Sequence, residues 1–502
     1  MMKAALPAFA VLTFLSSAAW GQDWIPLDSR TRGAGNAGVA FAQGPSAGYW
    51  NPASLSRDAE KIFDFSTSYG FAVYAFADVA LPGDTILKVD RISTLIKDND
   101  FQSIQDRMIL GTSTPPQSDS DVQTAIRLVD DLAGLNQKGT GAILHPGGGI
   151  DFKFGPIGIY SRAMGSVGLK PVADFTNAAF TLNRVGFFAG LTSGTPTTSA
   201  GMALSTKLQT LGGLTSGEAN TLAAEAETSV GSAVGDPAFV NAMVGVAKSI
   251  VTNDGTNGST LFYGNSSGLE ARGLAQWETG VSLGVPVLPT MLNVGIGFKE
   301  IISETSFTAI HVSDLESGSD TLHHVRDDLK NNRERSNQFN MDLGVLVTPY
   351  EWGAIGLTGR NLIPMRVKID APEGHLKLDP TYRMGVLFTP IDLIHIGADI
   401  DLNETESAVL PGYKYQMMGA GIEFDFPVIK LRGGVFDNIA SSKDGVTYTA
   451  GLGLKIFVVT LDLSAQMASK RQEIREETAT KSSQKIPERA GVGLTLGMEL
   501  FF

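Results

Sequence analysis

The chain has 502 residues, of which 18% are charged and none is cysteine, and its formal net charge is -13. The absent thiols exclude disulfide scaffolds, cysteine-ligated zinc or iron-sulfur sites, thiol catalysis and a lipoprotein anchor. The acidic balance excludes general nucleic-acid binding, because neutralising phosphates takes clustered Lys and Arg. Length alone would suit about three soluble domains of ~150 residues, but glycine, at 57 residues of 502, stands well above its usual ~7% and points elsewhere.

Met1 to Gly21 carry an early Lys3, an apolar run from Ala4 to Leu15 and a small-residue close. This is the tripartite pattern of a secretory leader over residues 1–21, cleaved before Gln22. Beyond it, no stretch of ~18 residues is free of charges and breakers, so a membrane crossing, if there is one, falls to strands. Gly33, Gly35 and Gly38 fit G-x-G-x-x-G, with Asp58 twenty residues further on. A dinucleotide site needs a buried strand before the first glycine. Asp28 to Arg32 is no such strand, so these glycines are read as permitting tight, close-packed backbone inside a lumen.

Downstream, segments near 61–81, 147–168, 271–312 and 336–361 read as strands. Between them, Thr85 to Met108 has apolar residues at helical spacing, and Asp121 is placed to cap a helix with Val122, Ala125, Ile126, Val129 and Leu132 on one side. An Ala, Gly, Ser and Thr-rich insertion follows at 171–260, where Asp236-Pro237 opens a helix striped by Phe239, Val240, Met243, Val244, Ala247 and Val251. Both insertions, near 84–140 and 171–260, are expected to be extracellular excursions or lumenal packing. His323 and His324 are adjacent, point different ways and lack H-E-x-x-H spacing, so no metal is expected; no G-x-S-x-G occurs, and no catalytic residue or cofactor is assigned.

The C-terminal portion alternates strictly. Val492, Leu494, Leu496, Met498, Leu500 and Phe502 interleave with Gly491, Gly493, Thr495, Gly497 and Glu499. Period two over eleven residues cannot occupy one face of a helix. Leu378 to Phe388, Ile394 to Leu402, Tyr415 to Phe426, Ile429 to Asp437, Val446 to Ile456 and Phe457 to Met467 repeat the rule, giving about fourteen strands. Alternation alone does not say which face is inside. The leader, the aromatic terminus and the long series of ~10-residue strands favour an all-β, transmembrane antiparallel barrel with apolar residues toward lipid and polar residues toward the lumen. Arg383, His395, Asp399, Asp401, Glu423 and Arg432 then face the lumen, with Asp425, Lys430, Lys455 and Asp462. Their mixed signs suit pairing between successive strands, and a lining for a substrate path is the other reading.

Residues 32–55, RGAGNAGVAFAQGPSAGYWNPASL, resemble the N-terminal plug of FadL-like outer-membrane barrels, whose Asn-Pro-Ala element is matched by Asn51-Pro52-Ala53. GLTGRNLIP (356–364), LDPTYRMGVLFTP (378–390), ADIDLN (398–403), KYQMMGAGIEF (414–424) and LRGGVFDNIA (431–440) are similar to the TraF-like branch, related to the PorV type. The resemblance implies a plug (hatch) over residues 22–60, with Gly33, Gly35, Gly38, Asn51 and Pro52 as its element, folded into the lumen of a barrel over 61–502. It also implies a Gram-negative outer membrane, contact with its lipid and with the barrel assembly machinery, and passage of a small hydrophobic molecule gated by the plug. The alternative is a scaffold barrel that transports nothing and recruits a secretion or conjugation partner.

Overall fold

The computed structural model describes residues 19–20, 24–57, 59, 61, 68–98, 119–175, 184, 188, 191–252, 266–311, 332–441, 444–474 and 484–500. The expected leader lies outside them except for Ala19 and Trp20, which run parallel to Thr405–Glu406. Asp58, His323, His324 and Phe502 also lie outside the described residues.

Fourteen strands close into one barrel. They are β1 (Tyr69–Ala80), β2 (Ala142–Phe154), β3 (Ile157–Val172), β4 (Gly268–Leu288), β5 (Leu292–His311), β6 (Arg333–Tyr350), β7 (Gly353–Arg360), β8 (Thr381–Ile391), β9 (Ile394–Asp401), β10 (Met417–Asp425), β11 (Ile429–Asn438), β12 (Thr447–Ile456), β13 (Val459–Ala468) and β14 (Arg489–Leu500). Each pairs antiparallel with the next, and β14 returns to β1 from Leu500↔Tyr69 to Arg489↔Ala80. No strand edge is left open, which hydrocarbon requires. Among the described residues, no helix is long and apolar enough to cross a membrane.

The register settles the facing that alternation leaves open. Leu494, Leu496, Leu463, Leu452, Val386 and Met384 point outward, whereas Thr495, Asp462, Arg383 and Asp399 are buried inside. Leu496 is 44% exposed and its neighbour Thr495 only 6%. Three strands start later than expected: β10 at Met417, since Tyr415 pairs with Thr405 outside the barrel, β13 at Val459, since Phe457 lies in the turn before it, and β8 at Thr381, since Leu378 belongs to a hairpin, Met365–Lys368 with His375–Leu378, whose apolar side packs with Leu410 and Tyr413. Pro380 lies between the two runs, and having no N–H to give a ladder, it divides them. Lys455, expected in the lumen, lies exposed one residue before the end of its strand.

Six connections, at one rim, contain two or three residues each, and the seven at the other rim are longer. That asymmetry is typical of outer-membrane barrels, with short periplasmic turns and long outer loops. The long end carries α-helices. Those at Thr85–Asp98, Asp119–Leu135, Ser199–Thr210, Ser216–Val230 and Pro237–Thr252 come from the two expected insertions. Val122, Ile126, Leu204, Leu208, Leu222, Phe239, Met243 and Ala247 join in one core, so the two insertions share a helical cap. Asp121 does not cap its helix; the helix begins two residues earlier, at Asp119, and places both aspartates in its first turn. There they meet the positive end of the helix dipole. Asp236 accepts from Ala238 N at 2.7 Å, as an Asx turn leading into a Pro-started helix would.

Leu496→Arg places a cation on the lipid face and is expected to lower the membrane-inserted fraction, at a cost of about 2–4 kcal/mol near the midplane. Leu496→Ile should leave it unchanged. Recovery of heat-modifiable, membrane-inserted barrel measures both.

Candidate functional site: the N-terminal segment in the lumen

Residues 24–57 lie inside the barrel and are almost wholly buried. Two short helices, α1 (Ser29–Gly33) and α2 (Ala47–Trp50), and a 3-10 turn, Pro52–Ser56, give the segment its shape. Asp28 organises it, accepting from Thr31 N at 3.0 Å, Thr31 Oγ1 at 2.8 Å and Trp50 Nε1 at 3.0 Å. One carboxylate thus caps α1 and ties it to α2. The segment crosses the lumen: α1 lies on β11 to β14, while the 3-10 turn lies on β4, β5 and β6.

Where its backbone touches the wall, the wall is glycine. An added Cβ on Gly434 would stand 2.4 Å from Gly35 N, and one on Gly421 2.4 Å from the Ala34 carbonyl. At the opposite seat, a Cβ on Gly295 would stand 2.2 Å from Ala53 N and one on Gly344 2.0 Å from Asn51 Oδ1. Glycine weakens a strand, and its use here is close backbone approach. On the segment's side, Gly35 takes φ +69, and a Cβ on Gly38 would enter the Trp50 ring. Gly33 packs on Gly451. Asn51 is fully buried: its Nδ2 donates to Val345 O at 3.0 Å and Val39 O at 3.3 Å, and its Oδ1 accepts from Ala53 N at 3.0 Å. Pro52 opens the 3-10 turn that Asn51 caps.

The inward charges meet one another and the segment. Arg30 binds Glu423 through two bonds, at 2.7 and 3.1 Å. Glu423 also accepts from Arg432, which in turn reaches Asp462, both at 2.5 Å. Two cations and two anions balance in that chain. Arg383 pairs with Asp401 across β8 and β9 at 2.6 Å, and Lys430 with Asp425 at 2.7 Å. Asp399 Oδ2 accepts from Gly38 N at 2.7 Å and Val39 N at 2.9 Å, so the wall holds the glycine turn by its amides. His395, only partly buried, has Nδ1 3.2 Å from Thr389 Oγ1. It stands with Glu423 and Asp425 within 4.8 Å, but those carboxylates already accept from Arg30, Arg432 and Lys430.

A second balanced group, Arg360, Lys299, Glu278 and Asp342, lies across the lumen, with Arg162 paired to Asp151 at 2.8 Å and Arg32 to Asp78. These residues went unassigned in the sequence reading, although alternation with outward Trp277 and Val281 places Glu278 inside. The wall arginines also collar an aromatic knob. Trp24 stacks on Trp50 at 6.0 Å, and Tyr49 meets Trp50 edge-on at 5.6 Å. Arg360 lies 4.0 Å over Tyr49, Arg162 5.0 Å over Tyr49 and Arg383 4.8 Å over Trp24. Such contacts contribute about 0.5–2 kcal/mol each. Burial pushes the Tyr49 phenol up to about 12, which keeps it a neutral donor to Ile25 O.

Gly434→Ala is expected to lift the segment from its seat, whereas Gly433→Ala, with nothing within 4 Å of the added carbon, should not. Amide hydrogen exchange of residues 33–53 should rise several-fold in the first variant alone. Asn51→Ala leaves Val345 O and Val39 O without their donor, and should lower unfolding stability by about 1–3 kcal/mol in a urea titration.

No curated protein sequence matches the chain. Among solved structures, the Pseudomonas putida toluene transporter TodX is 9% identical at a TM-score of 0.41, covering 96% of this chain and 99% of its own. A Pseudomonas aeruginosa FadL homologue is 11% identical at a TM-score of 0.39, covering 95% and 99%. The family model described as "F plasmid transfer operon, TraF, protein" matches residues 48–401, more than half of the chain, and the chain therefore belongs to that family.

Proposed function

We propose that this barrel admits small hydrophobic compounds across the outer membrane of a Gram-negative bacterium and that residues 24–57 are its plug. The observation that carries the reading is how the segment is held. Apart from its aromatic knob, it sits on glycine seats, through amides given to Asp399 and through ion pairs to Glu423 and Asp78, polar contacts that water can replace. The closed lumen leaves a narrow cavity beside Trp24, bounded by Asp78, His145, Arg383 and Phe436. On the lipid side of the same wall, Ala77, Ala450, Ala465, Met467 and Val492 line an apolar depression next to Asp78 and Gln466. A compound leaving the lumen there would enter hydrocarbon directly. The helical cap with its own core favours a second reading, a scaffold barrel that holds a partner.

Ser29 N lies 2.9 Å from Thr495 Oγ1, so cysteines at these two positions would tether the segment to β14 in a chain that has no other thiol. Oxidation of the Ser29→Cys, Thr495→Cys variant is expected to abolish uptake of a panel of apolar solutes, and reduction to restore it. Equal uptake by cells with and without the protein, together with a partner co-purifying in fixed ratio, would establish the scaffold reading instead.

A further inference from the structure

We propose that the short-turn rim of the barrel is itself a lipid-binding surface, with its six turns immersed in the periplasmic leaflet rather than standing in water. Every one of those turns, or the residue beside it, presents a large apolar side chain. Phe154, Met291, Trp352, Ile391, Val428 and Phe457 are 42% to 92% exposed, one for each turn. Glu351 and Asp392 are the only charges within the turns.

Hairpin chemistry makes this rim costly in water. A two-residue turn favours Asn-Gly, which adopts positive φ freely. Here β12 and β13 are joined by Phe457-Val458, with Phe457 at φ +55 and 92% exposed. A bulky residue held there is strained, and such strain persists only where something offsets it. Burying the Phe457 side chain in hydrocarbon would offset a strain of this kind. Thr290, in the turn between β4 and β5, also takes positive φ, at +61, beside exposed Met291.

Three observations select lipid over a protein as the occupant. The apolar turns follow one another from the β2–β3 hairpin to the β12–β13 hairpin, and a bilayer contacts all six at once. At the β12–β13 turn they continue the lipid-facing belt, as exposed Ile456, Phe457 and Val459 show. On β13 the belt is also short without its turn: Val459 to Met467 span about 27 Å along the strand, or roughly 20 Å along the membrane normal at ~40° tilt, against a usual apolar band of ~25 Å. Adding the turns closes that gap. Glu351 and Asp392 then mark the headgroup layer.

The inference stands apart from transport, and the absence of native cysteine makes its test direct. Single Phe457→Cys and Val428→Cys variants of the full chain, spin-labelled and reconstituted in phosphatidylcholine vesicles, are compared with Leu463→Cys in mid-belt and Thr206→Cys on the exposed cap. Heat-modifiable migration verifies that each barrel has folded. The ratio of collisions with oxygen to collisions with a water-soluble nickel complex is expected to be several-fold higher at 457 and 428 than at 206, and below that at 463. A ratio equal to that at 206 would overturn the proposal. Immobile labels shielded from both reagents would overturn it too, and would assign the rim to protein contact.

Discussion

Hydrocarbon has no partner for a backbone N–H or C=O, so a strand that crosses it must be paired along both edges and the sheet must close. Closure forces the rest of this molecule. Once fourteen strands form a ring, period-two alternation sends one set of side chains to lipid and the other into a lumen. The outer set must be apolar; the inner set is free to be polar, and here it is charged. A lumen of charged side chains has to be hydrated or matched. Residues 24–57 match it: Arg30 meets Glu423, Arg32 meets Asp78, and the Gly38 and Val39 amides meet Asp399.

Matching fixes the inner composition in detail. Buried ions are costly unless paired, and the inward charges resolve into balanced groups, Arg30–Glu423–Arg432–Asp462 on one side and Arg360–Lys299–Glu278–Asp342 on the other. Where no charge is presented, the segment's main chain lies directly on the wall, and strand residues lose their side chains to make room, as Gly295, Gly344, Gly421 and Gly434 do. The high glycine content therefore has two roots. Some glycines lie in turns; others are the floor on which the segment rests.

The barrel was legible in the sequence because its cause is periodic. Leu494, Leu496, Thr495 and Asp462 carry in their spacing which of them share a face, and no long-range information is needed to read that; which face meets lipid takes the leader, the aromatic end and the length of the strand series as well. The cross-strand pairs Glu423↔Arg432 and Arg383↔Asp401 follow from register, which short turns nearly dictate. Which residues fill the lumen is another matter. Arg30 and Glu423 are 393 positions apart, and no local pattern links them; Gly433 and Gly434 are identical as letters, yet one faces lipid and the other a backbone amide. Tyr49 and Trp50 stood beside the Asn-Pro-Ala element without any signal that wall arginines would collar them. Asp121 lies in the first turn of its helix rather than at its cap, and Asp119 beside it accepts from Thr192 N and Oγ1, a partner 73 positions away that no local pattern marks.

The same polar lining that holds the segment would also lower the cost of the movement proposed for it. A plug seated through apolar packing would expose hydrocarbon surface on leaving, at about 25 cal/mol per Å2. This one exposes Glu423, Asp78 and Asp399, and water entering a vacated lumen would solvate them, returning much of the desolvation that their burial had cost. Arg432 would remain beside Glu423 and Gln466 beside Asp78, so neither carboxylate would be stranded. The aromatic knob works the other way, since Trp24, Tyr49 and Trp50 lose both packing and their arginine collar. The segment is thus seated by one apolar anchor inside a polar lining, and if it gates the lumen as proposed, the anchor, rather than the ion pairs, would set how firmly it closes.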